Sequence, residues 1–405
     1  MRISEKEFTL LMALLMSIVA ISIDALLPSL GVIGAEMGIT DTNRTQLVIV
    51  SIFSGMALGQ LIAGPASDAA GRKPVLYAGL VLYLVGSFGC WLARDFTLLL
   101  AGRFVQGLGV ACPYVTAVSV VRDKYAGRDM ARMMSLIMMI FILVPAVAPS
   151  LGQAVMHAAG WRAIFLFYIA YSIVIGGWIA LRLRETLPLA HRTPFTRRAL
   201  AHGFGIVVKN RTTMTYMVAM GLTFGSLISY VSASRQIFQD HFGVGDSFAL
   251  YFGGLALLLG LASMLNSHFV TRWGMRNICA HASLAMIAAS AIFLALHLAG
   301  TVTLAIFVGY AAVLFFAFGM MFGNLNAIAM EPMGEVAGIA SAIIGATSSV
   351  ISLSLGAVIG QLYNGTLIPL AFAFLVLGVV SWLLIRAERR WHVRQPILSS
   401  APFTH

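Results

Sequence analysis

Twelve membrane-spanning helices, laid out as two parallel six-helix bundles of an all-α membrane protein, are what this chain of 405 residues predicts. The composition is 60% hydrophobic and only 10% charged, where soluble domains carry roughly a quarter charged residues. Apolar runs of about 20 residues, the length a helix needs to cross a bilayer, recur along the chain. They are too long for a membrane barrel, whose strands need roughly ten residues each. The longest polar stretch, 184–211, parts the runs into six and six.

The first span, 8–33, holds one charge, Asp24, and no other charged residue stands between Phe8 and Ala35. Span two, 45–69, stops at a Gly71-Arg72-Lys73 turn, and span three follows over 74–93. Span four, 96–122, carries Arg103 in its interior, and span five, 131–157, carries Pro145 and Pro149. Span six covers 161–183. The second set is 212–236, 247–271, 277–298, 302–329, 336–363 and 366–386. Two charge-free stretches each hide a break, at Ala299-Gly300 and at Asn364-Gly365, where Gly and Asn are the expected turn residues. The organisation expected is an N-terminal bundle over 1–183, a cytoplasmic linker over 184–211, a C-terminal bundle over 212–390 and a tail over 391–405. The turn Gly71-Arg72-Lys73 recurs as Gly274-Met275-Arg276, offset by 203 residues. Parallel repeats with a substrate site between them near the midplane are a recurring transporter plan.

A net charge of +11 invites a nucleic-acid partner, but its distribution gives a topology instead. Of 26 Lys and Arg residues, 21 fall on the side of the N-terminus and four, Arg44, Arg94, Arg162 and Arg235, on the other. That asymmetry puts both termini in the cytoplasm and makes the lipid bilayer, not nucleic acid, the partner. The N-terminus runs straight into the first span and reads as a retained anchor rather than a cleaved peptide. Cys90, Cys112 and Cys279 lie within spans without metal-ligand spacing, so they read as small core residues and no metal is expected.

An ionised acid at membrane depth costs a few kcal/mol or more, so Asp24 is by default a site for protons, ions or substrate. Arg103 is equally isolated. Counted from the outer ends of their spans, Arg103 and Asp24 lie roughly 10 and 14 Å deep at 1.5 Å per residue. They can meet, directly or through one water, if spans one and four are neighbours. A fixed structural pair is the alternative.

After span two comes Gly64-Pro65-Ala66-Ser67-Asp68-Ala69-Ala70-Gly71-Arg72-Lys73-Pro74. Gly64 permits close helix approach, Asp68 sits at a helix end, and the turn cations can pair with acids or helix C-termini, which together make a gating latch. Simple compliance with the positive-inside rule is the alternative for Arg72 and Lys73. This glycine, acid and Gly-Arg-Lys turn resemble the signature of the major facilitator superfamily, in which the loop holds the cytoplasmic side shut. The second copy has Thr271 in place of the acid, and a weaker latch is expected there. Arg103-Phe104-Val105-Gln106-Gly107-Leu108-Gly109 is similar to motif B of proton-driven members. Val144-Pro145-Ala146-Val147-Ala148-Pro149-Ser150-Leu151-Gly152 resembles the antiporter signature, with Gln153 standing where a further glycine is usual. Its prolines, Pro145 and Pro149, bend the helix, and its small residues allow tight packing. A kink of structural meaning only is the alternative.

Val121-Arg122-Asp123-Lys124-Tyr125, Gly160-Trp161-Arg162-Ala163-Ile164-Phe165 and Glu185-Thr186-Leu187-Pro188 resemble the bicyclomycin and chloramphenicol resistance (Bcr/CflA) branch of drug:proton antiporters. So do Asn326 to Pro332 and Ala337 to Ala342, and the likeness runs from Phe8 to about Arg390. It implies an inner-membrane exporter of small amphipathic compounds, monomeric, using the proton gradient and no cofactor. Asp24 and Arg103 would couple protons and touch substrate, and Ser226, Tyr230, Asn324 and Asn326 lie at depth in helices that line the family's cavity. The glycines and serines of span eleven favour close packing. The 21 Met and 25 Phe residues suit an adaptable apolar pocket. A proton-coupled transporter of a metabolite such as a sugar or amino acid remains the alternative, disfavoured by the antiporter signature and by few polar residues at depth. No span carries the paired acids, metal ligands or activated nucleophile of an enzyme.

Overall fold

The computed structural model describes residues 3–192, 197–334 and 337–394. Arg2, Pro194 and the tail from residue 395 onward, which figured in the linker and terminal expectations, lie outside the described residues. Among the described residues, twelve helices or helix pairs are long and apolar enough to cross a membrane.

In the first half these are α1 (Glu5–Asp24) with α2 (Leu30–Glu36), α3 (Leu47–Ala70), α4 (Arg72–Leu92), α5 (Phe96–Lys124), α6 (Gly127–Ala159) and α7 (Arg162–Arg182). A further helix, α8 (Arg197–Lys209), lies within the polar stretch between the halves. The second half is α9 (Arg211–Arg235), α10 (Phe248–Trp273), α11 (Met275–Leu298), α12 (Leu304–Met330), α13 (Ala337–Gln361) and α14 (Ile368–Arg394). The breaks expected near Gly300 and Gly365 are present, and both glycines take positive φ, 69° and 84°, a region open to Gly at no steric cost.

The first span is not one helix. Ser4 caps α1 by accepting from the Glu7 N–H at 3.2 Å, and Glu5 and Glu7 suit the positive end of the helix dipole. The helix stops at Asp24 because Pro28, in the short turn Leu27–Ser29, has no N–H to continue the ladder. The chain resumes as α2, whose last residue, Glu36, accepts from Trp161 Nε1 at 2.5 Å and from Arg162.

Within the first half α5 packs between α3 and α4, and within the second half α9 packs on α13 and α12, and α11 on α14. The α3/α5 crossing is set by glycine: a Cβ on Gly107 would stand 2.0 Å from the Ile52 carbonyl oxygen. The first helix of each half is the most enclosed. The α1 and α9 spans are 89% and 83% buried, against 61% or less for every other span, so they form the centre of the assembly. The halves meet along two seams, α3 with α13 and α6 with α10. Hydrogen bonds from Asn43, Gln46 and Gln153 to Gln236, Asp246, Gln361 and Tyr363 seal the end of the molecule away from the termini. Ion pairs at the other end stay within a half: Arg72 with Asp68, Arg182 with Glu7, and Arg276 with Glu331.

Candidate functional site

Asp24 is the last residue of α1 and is 6% exposed. It makes no hydrogen bond or ion pair with the described residues. Arg103, on α5, is fully buried; its Nη1 donates to Gln106 Oε1 at 2.5 Å and its Nε to the Val48 carbonyl at 3.3 Å, while Nη2 has no partner. α1 and α5 pack against each other, as a meeting of the two charges requires, yet the structure does not join them directly. The α1 helix ends at Asp24, and Arg103 turns toward Gln106 and the α3 backbone.

Hydroxyl groups occupy the space around the two charges. Ser22 Oγ donates to the Ile18 carbonyl at 2.5 Å, so Tyr83 is the donor in the 2.7 Å contact between their hydroxyls. Tyr168 Oη reaches the Ile21 and Ser22 carbonyls at 3.2 and 3.3 Å. Tyr168 lies within electrostatic reach of both Asp24 and Arg103, and Tyr83 within reach of Arg103. Gln106 Nε2 completes the set by donating to Ser87 Oγ at 2.8 Å. Tyr83 and Tyr168 come from α4 and α7, and sequence reading passed over them because tyrosines in apolar runs carry no local mark. Gln106 stood inside the motif already quoted.

The antiporter-like stretch touches this site. A Cβ on Gly152 would lie 1.7 Å from the carbonyl oxygen of Ala25, the residue after Asp24. On the same helix, the Ala146 carbonyl stands 2.5 Å from where a Cβ on Gly253 of α10 would be, across the seam between the halves. Helix α6 runs unbroken through Pro145 and Pro149. It therefore bears at once on the break in α1 and on the second half.

The remaining predicted contacts divide. Tyr230 is 2% exposed, packs edge-on to Phe315 at 4.8 Å and stacks near Phe252, and its hydroxyl has no partner. Ser226 is buried and its hydroxyl donates to its own helix, at the Leu222 carbonyl. Asn324 is engaged with Asn266, each amide donating to the other at 3.3 and 2.8 Å, while Asn326 is exposed. Aromatic rings gather between α9 and α12, where Phe224 stacks on Phe322 at 4.1 Å.

At the end carrying the termini, Arg72 is 2% exposed and spends its guanidinium on three groups. Nη1 donates to Asp68 Oδ1 at 2.6 Å and to Ser67 Oγ at 2.8 Å, and Nε donates to Asp123 Oδ2 at 2.8 Å. Gly71 takes φ 104°, and Glu185 accepts the backbone N–H groups of Arg72 and Lys73, each at 3.0 Å, capping α4. A Cβ on Gly64 would meet only Val115 Cγ1, at an ordinary 3.7 Å, so the close helix approach expected there is not present in this structure. In the second half, where Thr271 replaces the acid, the corresponding turn is not short of carboxylates. Arg276 Nη2 meets Glu331 at 2.9 Å, and its Nε lies 3.5 Å from the fully buried Glu388, which also accepts from Thr212 at 3.0 Å and Tyr216 at 3.3 Å. The weaker latch expected there rested on the missing acid, and acids from the ends of α12 and α14 stand beside Arg276 instead. Nothing local pairs them with Arg276, from which they lie 55 and 112 residues away, although Glu331 falls within the stretch Asn326 to Pro332.

Two bundles of six helices, a charged turn repeated between them and an isolated acid and base buried in the first define a membrane transporter. Residues 10–357 match the Major Facilitator Superfamily, and the chain belongs to that family, whose members are transporters and not enzymes. It is 32% identical over 92% of its length to an uncharacterized MFS-type transporter, YdgK, of Bacillus subtilis (93% of that protein). It is 29% identical to a bicyclomycin resistance protein homolog of Haemophilus influenzae (92% of this chain, 94% of that one). It is 27% identical to the multidrug resistance protein MdtL of Klebsiella pneumoniae (91% and 92%). These relatives agree with the Bcr/CflA likeness read from the motifs. Among solved structures, a D-xylose-proton symporter superposes with a TM-score of 0.71 at 14% identity (93% of this chain, 95% of that one). The human organic anion transporter MFSD10 gives 0.66 at 17% (95% and 99%). At such identities the likeness is one of fold.

Proposed function

We propose that this transporter expels amphipathic compounds across the bacterial inner membrane in exchange for protons, as a monomer with no cofactor beyond the proton gradient. The observation that carries the reading is the placement of Asp24: buried, unpaired, at the broken end of α1, and in contact through Ala25 with the small-residue stretch of α6. Relatives named for drug resistance support the substrate class. Both termini are cytoplasmic in this reading, from the charge asymmetry, so the sealed end faces outward.

The carboxyl takes a proton when the site faces outside and yields it when the site faces the cytoplasm. The proton-free carboxylate then favours substrate, and the bundles 1–183 and 212–390 rock about the site with 184–211 as their linker. Tyr230, Ser226, Asn324 and Asn326 would line the path, Tyr230 offering a free hydroxyl within an aromatic wall. The gradient supplies the energy, including roughly 2.3 kcal/mol per charge per 100 mV of membrane potential.

Vesicles carrying the protein, given a pH gradient and a fluorescent amphiphile, test this. Wild-type vesicles should move the dye with the gradient, and Asp24→Asn should fall to background while Arg103→Ala is strongly impaired. Undiminished proton-driven transport by Asp24→Asn would overturn the coupling role. Saturable transport of one polar solute, with no competition from lipophilic compounds, would replace the drug reading by the metabolite one.

A further inference from the structure

The buried part of the seal at the end away from the termini, at the α3/α13 seam, is built from neutral amides, while the exposed Asp246 at the α6/α10 seam lies 3.4 Å from His157. Asn43 lies in the turn Thr42–Gln46 between α2 and α3, and its Nδ2 donates to the Tyr363 carbonyl at 2.7 Å and the Gln361 carbonyl at 3.3 Å. In return Gln361 Nε2 donates to the Asn43 carbonyl at 3.0 Å, and Gln236 Nε2 donates to Asn43 Oδ1 at 3.0 Å. Gln46 Nε2 donates to Gln236 Oε1, so both ends of the Gln236 amide are taken by the opposite half. Gln46 and Gln236 are 1% and 2% exposed.

Two further features show that the backbone is arranged around this contact. Gln236 opens a π-helical turn, Gln236–His241, at the end of α9; such turns are rare and recur at functional sites. Gly360 and Gly31 leave room for side chains arriving from the other half: a Cβ on Gly360 would meet Gln46 Oε1 at 2.1 Å, and one on Gly31 would meet Arg235 Nη2 at 2.1 Å. At the other seam Gln153, the residue that departs from the antiporter signature, donates to Asp246 at 2.6 Å.

We propose that Gln236 is a positioning residue for alternating access: with Asn43 and Gln46 it forms a releasable clasp that holds this end shut and must part once in each transport cycle. Neutral amides suit that duty. On opening, their bonds to each other are exchanged for bonds to water at little net cost, whereas a buried ion pair would strand charges if it parted within apolar surroundings. Water has a place to enter, since a cavity of about 540 Å³ lies beside the clasp, lined by residues of both halves including Asn43, Gln236 and Tyr363. The proposal rests on the family's transport activity and not on the substrate or the coupling ion.

The test is a distance measurement. Spin labels are placed at Arg94→Cys and Thr301→Cys, exposed positions at this end in opposite halves, in a full-length protein whose Cys90, Cys112 and Cys279 are changed to Ala. Distances are read by pulsed electron paramagnetic resonance in nanodiscs. Gln236→Met, which keeps the shape and removes the amide, is expected to raise the ratio of long to short distances roughly tenfold, the weight of one or two hydrogen bonds. Asn43→Ala should shift it in the same direction, and the double variant should shift it further but by less than the two effects combined, because the Gln236–Asn43 bond is shared while the bonds of Asn43 to Gln361 and Tyr363 and of Gln46 to Gln236 are not. Gln153→Gly, restoring the signature, serves as a second variant that is expected to fold and to shift the ratio in the same direction. Unchanged distance distributions in folded Gln236→Met and Asn43→Ala proteins would overturn the proposal. A shift seen in protein that moves no amphiphile would leave the clasp standing and count against the drug reading alone.

Discussion

Arg72 shows what a sequence motif conveys and what it omits. The glycine, the acid and the Gly-Arg-Lys turn marked Asp68 and Arg72 as partners, because they sit four residues apart on one helical end. Nothing local marked Asp123 or Glu185 as partners of that turn, although both stood in quoted motifs, because 51 and 113 residues separate them from Arg72. Only the packing of α4, α5 and the end of α7 brings them together. A lysine has the charge of Arg72 but not its fork of donors. Arg72→Ala should destabilise the protein by about 3 kcal/mol, the cost of stranding a partner of a buried pair, and Arg72→Lys should recover only part of this. Thermal unfolding in detergent checks both. Glu185 adds a pH dependence. Partial desolvation would raise its carboxyl, but the N–H groups of Leu187, Arg72, Lys73 and Thr186 outweigh that and hold it below its ordinary value of 4.5. Its contribution to stability is therefore complete above pH 4.5 and is lost as pH falls through the lowered folded-state value. Glu185→Gln should unfold at a lower temperature than wild type at pH 7, and the gap should close on acidification below pH 4.5; a gap that persists there would contradict the assignment.

Among the elements, span positions were legible because twenty apolar residues in a row admit one structure in a bilayer. The break in the first span was not, since Pro28 is a single residue in a run otherwise suited to helix, and it decides where Asp24 sits. The contact of α6 with that break was equally hidden. Sequence shows that Gly152 is small; it does not show that the Ala25 carbonyl fills the space where a side chain would go. Backbone cannot move aside as a flexible side chain can, so Gly152→Val should cost about 1–3 kcal/mol or more and abolish transport. Gly177→Val on α7 is the control, because nothing lies within 4 Å of its missing Cβ. It should unfold close to wild type and transport normally. Equal damage from both substitutions would mean that β-branching in a helix, not the α6 contact, sets the cost.

For the whole molecule, the offset of 203 residues that relates the two turn glycines also relates Glu185 to Glu388. Both acids serve a cation-bearing turn at the end carrying the termini, but by different means. Glu185 is exposed and caps backbone N–H groups, whereas Glu388 is fully buried among Arg276, Thr212 and Tyr216. The repeat thus keeps the position of the acid and changes its contacts, which is why the second copy looked deficient when judged by the first copy's residues. The two share no partner and belong to different bundles, so if the halves hold their latches independently, the losses of stability in Glu185→Gln and Glu388→Gln should add to within about 0.5 kcal/mol in the double variant. Glu388→Gln should be the more damaging of the two, since it removes a buried charge from beside Arg276 and leaves one acceptor oxygen where Thr212 and Tyr216 now have one each. A large departure from additivity would show instead that the two ends of the repeat are read as one unit through the seams between α3 and α13 and between α6 and α10, and would tie both latches to the seal at the far end.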